Sequence, residues 1–186
     1  MKPFSGLALI GLVLALSSCS EPQDDTLPEV RRIVTTEGAD GKSLILADGP
    51  SPNVVELNGS RIERLWETQA MPVSIPVEED LGLAAGNAYR EGFVGSSLYI
   101  ADISPGSGLE DIPLHKQDSL DYIALLAGEI DLVLDNGETL AMKPGDVLVQ
   151  AGNAHSWVNR GKVPARLLCV VLTGERRKDE AQERGE

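Results

Sequence analysis

Cysteine, histidine and basic residues are all scarce in this chain. Its 186 residues include two cysteines and two histidines, and aromatic residues make up 4%. Lys and Arg number 16 against 29 Asp and Glu, for a formal net charge of −13. That deficit excludes a nucleic-acid surface, which needs clustered cations against phosphate. Apolar runs are also short. The run Leu7 to Leu16 has ten residues, one of them glycine, too few to span a bilayer. There is no Gly-x-Ser-x-Gly, no phosphate loop, no dinucleotide fingerprint and no Cys-x-x-Cys. With His115 and His155 the only imidazoles, a His-based triad would have to borrow one of them. Cys169 lies in the apolar stretch Arg166 to Leu172, which predicts a buried small hydrophobe rather than a nucleophile. If Cys19 is committed elsewhere, no internal disulfide is available, and the domain must rely on its core.

Turn formers are plentiful: 19 glycines and 11 prolines, which suit many short strands. The length is that of one domain. Val30 to Thr35 and Ser43 to Ala47 read as strands around Gly38-Ala39-Asp40-Gly41. Arg61 to Thr68 reads as a strand carrying Trp66. The stretch 71–95, with two prolines and Glu78-Glu79-Asp80, reads as a long loop holding a short helix, either a surface excursion or the cover of a site. Further strands are expected at Ser97 to Ile103, Asp121 to Ala127, Ile130 to Leu134, Thr139 to Met142, Val147 to Val149, His155 to Asn159 and Arg166 to Leu172. Turns at Asp135-Asn136-Gly137, Lys143-Pro144-Gly145-Asp146 and Ala151-Gly152-Asn153 separate the later ones. Near-even spacing of short strands predicts a β-sandwich or barrel.

Lys2, the apolar run and the sequence Leu16-Ser17-Ser18-Cys19 form an export segment. The last four residues resemble the bacterial lipobox. The resemblance implies a lipoprotein signal peptide at 1–18, cleavage before Cys19, and acylation of that cysteine. Ser20 then implies sorting to the periplasmic face of an outer membrane if the envelope has two membranes. Residues 19–28 are polar with two prolines and read as a flexible tether, and the charged tail 174–186 as frayed or disordered.

Each histidine sits in its own motif. The second reads Gly145-Asp146-Val-Leu-Val-Gln150-Ala-Gly152-Asn-Ala-His155-Ser-Trp-Val-Asn159. The first reads His115-Lys-Gln117-Asp-Ser119-Leu-Asp121-Tyr-Ile-Ala-Leu-Leu-Ala-Gly128. These resemble the two motifs of the cupin superfamily, of the small RmlC-like, type-2 kind. Gln117 takes the place of a second histidine, Asp121 that of a glutamate, and Gln150 that of a proline. The resemblance implies an all-β, single-domain double-stranded β-helix, a jelly-roll barrel, over 29–173 with its core at 96–172.

Side-chain alternation agrees with that reading. In an extended segment, positions 115, 117, 119 and 121 point one way, and His155, Trp157 and Asn159 share a face. Two strands facing across a small barrel then bring His115, His155 and Asp121 together. Such a set, with Gln117 as an additional donor, suits a divalent ion: iron, manganese, zinc or nickel. A hydrogen-bonded polar pocket without metal is the alternative. Asp121 is equally suited to ligation, to proton transfer beside His115, or to bonding a strand end. Trp66, Trp157, Gln150 and Asn159 are candidate pocket-wall residues, with core packing the other role open to either tryptophan. The family resemblance implies a small organic ligand, a reaction among dioxygenase, isomerase, lyase or decarboxylase chemistries, and a homodimer. A non-catalytic binding lipoprotein of the envelope is the competing expectation.

Overall fold

The computed structural model describes residues 27–57, 59–86 and 92–177. The run Leu7 to Leu16, Cys19 and the end of the charged tail lie outside the described residues. Everything described is strand, turn or loop. Eleven strands follow one another: β1 (Arg31–Glu37), β2 (Ser43–Pro50), β3 (Asn53–Leu57), β4 (Ser60–Thr68), β5 (Ser96–Ile103), β6 (Ser119–Ala127), β7 (Ile130–Leu134), β8 (Thr139–Met142), β9 (Val147–Ala151), β10 (His155–Val158) and β11 (Ala165–Thr173). β3 was not expected. The helix expected within 71–95 is absent from the described part of that stretch, where residues 81–84 make only turns.

β1 and β2 form a hairpin of their own. A six-stranded sheet runs β3-β4-β5-β11-β6-β9, and a three-stranded sheet runs β10-β7-β8. All pairings are antiparallel. Alternation along each strand decides which residues face inward. On β5, β6 and β11 these are Tyr99, Ala101, Ile103, Ile123, Leu125, Leu167, Cys169 and Val171. Ile130, Leu132, Met142 and Trp157 from the smaller sheet complete the same buried cluster. The expected sandwich-like barrel and its single core are therefore present. Each fully buried large apolar side chain contributes about 1.5–3 kcal/mol.

Two turns hold the sheets in relation to each other. Gly128, between β6 and β7, has φ of +72°, and a Cβ there would stand 2.5 Å from the Pro164 carbonyl oxygen. Only glycine allows that approach. In the turn before β9, Asp146 Oδ2 accepts from Lys143 N–H at 3.0 Å. The same turn is fastened to β6 by Gly145 N–H to Leu125 O, 2.9 Å, and Leu125 N–H to Asp146 O, 3.1 Å. This fastening accounts for the Gly-Asp pair of the second motif, and it sets the register of β9 on β6.

Candidate functional site

The two histidines meet. His115 and His155 form an isolated antiparallel bridge, each backbone N–H donating to the other's carbonyl at 2.9 Å. Their rings follow, with centroids 4.4 Å apart and planes tilted by 54°. Each Nδ1 lies beside a backbone carbonyl, Pro113 O at 3.0 Å for His115 and Asn153 O at 3.3 Å for His155. A carbonyl only accepts, so each Nδ1 carries the proton and the ring's lone pair falls on Nε2. Both carbonyls sit two residues before their histidine, so the local chain itself sets the tautomer. Burial, and then the neighbouring His115, pull the His155 pKa down to about 4. At neutral pH its imidazole is uncharged, the form that coordinates metals.

Both rings line a cavity of about 510 Å³ inside the barrel. That volume lies in the range of small-molecule sites. Its wall is largely apolar, with Ile62, Tyr99, Ile123, Trp157 and Leu167 contributing. Gln117 and Asp121 share it. Asp121 is 6% exposed, and its Oδ1 has no hydrogen-bond partner. Burial raises the Asp121 pKa, opposed by a hydrogen bond from Ser119 and the charge of His115. Gln117 Nε2 is likewise buried and unpartnered. Two orphaned polar atoms facing one cavity cost free energy unless something bonds them. Among the described residues, however, no three His, Cys, Asp or Glu side chains stand close enough to share one metal ion. The arrangement is a pair of imidazoles with an amide and a carboxyl group on the same wall.

The other expected site residues separate. Trp157 lines the cavity, its indole edge-on to His155 at 5.9 Å. Asn159 does not: β10 ends at Val158, and parity ends with it. Its side chain instead bonds backbone, donating to Ile103 O at 2.9 Å and Val163 O at 3.0 Å and accepting from Gly161 N–H at 2.8 Å. Trp66 pairs with Leu98, on the face turned away from the cavity-lining Ser97 and Tyr99. An extra residue, Leu65, interrupts the β4–β5 register and sets that facing. Gln150 stands across from Asp121 on β9, 2% exposed, with neither amide atom bonded. It shares the Asp121 face of the sheet but does not line the cavity.

Several lining residues were not anticipated. Ser60, Ile62 and Arg64 alternate along β4 and face the cavity together. The signal for Arg64 was its parity with Ile62. Cys169 also borders the cavity, yet burial pushes its thiol up to about 12, so it is a buried thiol as expected.

Residues 99–171 match the Cupin_2 family, "Cupin domain". Among relatives, the chain is 33% identical to Phomopsin biosynthesis cluster protein C′ of Diaporthe leptostromiformis over 163 residues, 82% of this chain and 85% of that one. It is 31% identical to the Cupin-domain-containing oxidoreductase fogC of Aspergillus ruber over 155 residues, 78% of this chain and 73% of that one. Among solved structures, the Schizosaccharomyces pombe Cnp3 cupin domain aligns with a TM-score of 0.47 at 16% identity, covering 83% of this chain and 91% of that one.

Proposed function

The chain belongs to the cupin family, and from that premise we propose that it binds a small organic molecule in its barrel beside a divalent metal and transforms it as an oxidoreductase. One observation carries the proposal: two imidazoles, each with its Nδ1 beside a backbone carbonyl and that of His155 uncharged at neutral pH, meet at the wall of an apolar cavity. His115 and His155 would hold the ion through Nε2, with the Gln117 carbonyl oxygen as a further donor. When bound there, a divalent ion would supply a Lewis acid for a substrate oxygen. Asp121, partly desolvated and raised in pKa, accepts and holds a proton from the bound molecule. The apolar wall excludes water from the reacting end. The relative named an oxidoreductase supports this choice among cupin chemistries.

A second reading, a metal-free binding module, is favoured by the absence of a three-residue His, Cys, Asp or Glu cluster among the described residues. Elemental analysis of the purified protein separates the two. Stoichiometric iron, manganese, zinc or nickel, lost in both His115→Ala and His155→Ala variants that keep their β-sheet circular dichroism, supports the metal centre. Wild-type protein that retains none of these ions after loading and desalting selects the second reading. Acylation of Cys19 and attachment to the envelope complete the proposal, on the strength of Leu16-Ser17-Ser18-Cys19 alone. A homodimer is proposed on the family's habit, and light scattering tests it.

A further inference from the structure

Arg64 differs from most of the described arginines. Arg31, Arg32, Arg61, Arg160, Arg166 and Arg176 each pair with an aspartate or glutamate. In a chain with 29 acidic residues that is unsurprising. Arg64 has no carboxylate within ion-pair distance among the described residues, and it points into the cavity from β4. The alternation Ser60, Ile62, Arg64 puts it there, and Ser51 Oγ donating to the Arg64 carbonyl at 2.7 Å holds that part of the strand. Arg64 is partly buried, so a guanidinium facing this cavity is free to pair with an anion that enters it. Lys116 adds a second cation to the lining, against Asp121 as the carboxylate. The cavity is thus locally cationic in a protein of net charge −13.

We propose that Arg64 anchors a carboxylate group of the ligand, so that the substrate is an apolar molecule bearing one carboxylate. This rests on the reading of the cavity as the ligand site. The planar guanidinium matches a carboxylate with two parallel hydrogen bonds, a geometry that no lysine offers. The register fixes how such a ligand lies. Arg64 pairs with Tyr99, Tyr99 with Cys169, and Cys169 with Ile123. Asp121 is two residues further along β6, so the anchor and the proton acceptor stand three strands apart. That is about 14 Å along the curved sheet at the usual strand spacing. The carboxylate rests at one end, the apolar body lies over Tyr99 and Ile123, and the far end reaches the histidine pair.

Titration calorimetry on the full chain with phenylacetate, phenylbutyrate and phenylhexanoate, each beside its primary amide, tests the assignment. The expected result is that at least one carboxylate binds about tenfold or more tighter than its amide. Arg64→Met should abolish that preference, Arg64→Lys should keep part of it, and Lys116→Met should leave most of it. Equal affinity of carboxylate and amide, no measurable binding of any carboxylate, or a preference that survives Arg64→Met overturns the proposal. Zinc binding is measured on the same samples. Retained zinc without carboxylate preference sinks the anchor but leaves the metal reading standing. An Arg64-dependent preference in protein that holds no zinc does the reverse. Should Arg64→Met fail to fold, the partial loss in Arg64→Lys decides.

Discussion

Burial acts in opposite directions on Cys169 and His155, and each direction has a measurable consequence. Cys169 is 3% exposed, and its thiol is raised to about 12. Only the thiolate is a nucleophile, so native protein at pH 8 should leave Cys169 unmodified by a thiol-specific disulfide reagent. The same protein in denaturant should react at once. Rapid labelling of the native state would show that the cavity wall opens. For His155 the uncharged form is favoured, with its pKa falling from 6.5 to about 4. Because the folded value lies below the unfolded one, the associated stability is fully present above pH 6.5 and is lost as pH falls towards 4. Its size is on the order of 3 kcal/mol. Asp121 shifts upward and contributes with the opposite sign, adding stability as the medium becomes acidic. His155→Gln removes the histidine contribution and leaves that of Asp121 in place. Urea denaturation of chelator-treated protein should therefore show falling stability from pH 6.5 downward, and His155→Gln should flatten that slope. A slope unchanged by the substitution would remove His155 as its source.

At the scale of elements, the tight turn at Gly128 brings the end of β6 against the segment entering β11. Gly128→Ala must place a Cβ 2.5 Å from Pro164 O in a left-handed conformation. A loss of about 2–4 kcal/mol is expected, from the conformational penalty and the forced shift together. A thermal melt compared with that of Gly137→Ala, where a Cβ meets nothing within 4 Å, isolates the steric part. Equal losses in the two variants would show that conformation alone matters. Most strands from β4 onward were legible because alternation and turn chemistry agreed, as at Asp135-Asn136-Gly137. β3 was hidden: Asn53–Leu57 is five residues between turns, and its identity comes from pairing with β4. The histidine pair was legible because two motifs, each with its own turn, specified it. Of the two roles open to Trp66, pairing register selects the one away from the cavity. Ile62 and Leu65 are three residues apart and cannot share a face of a regular strand, which was the trace of the bulge. Asn159 was misjudged because alternation was extended one residue past the end of β10.

At the scale of the whole molecule, attachment and charge pull against each other. A protein of net charge −13 is repelled by an anionic membrane surface, so polar attraction cannot hold it there. No helix among the described residues is long and apolar enough to cross a membrane. The attachment proposed would come from acyl chains on Cys19, each buried CH₂ contributing about 0.8 kcal/mol. Two or more chains of ordinary length would outweigh that repulsion. Full-length protein made in a double-membrane bacterium should therefore enter the detergent-rich phase on cloud-point separation. Cys19→Ser should move it to the aqueous phase by about tenfold or more in partition ratio, a change of at least about 1.4 kcal/mol. Incorporation of labelled palmitate should be lost in the same variant. Wild-type protein that stays aqueous and unlabelled would leave the barrel without the proposed anchor, while the cavity, the paired histidines and Arg64 would be unaffected.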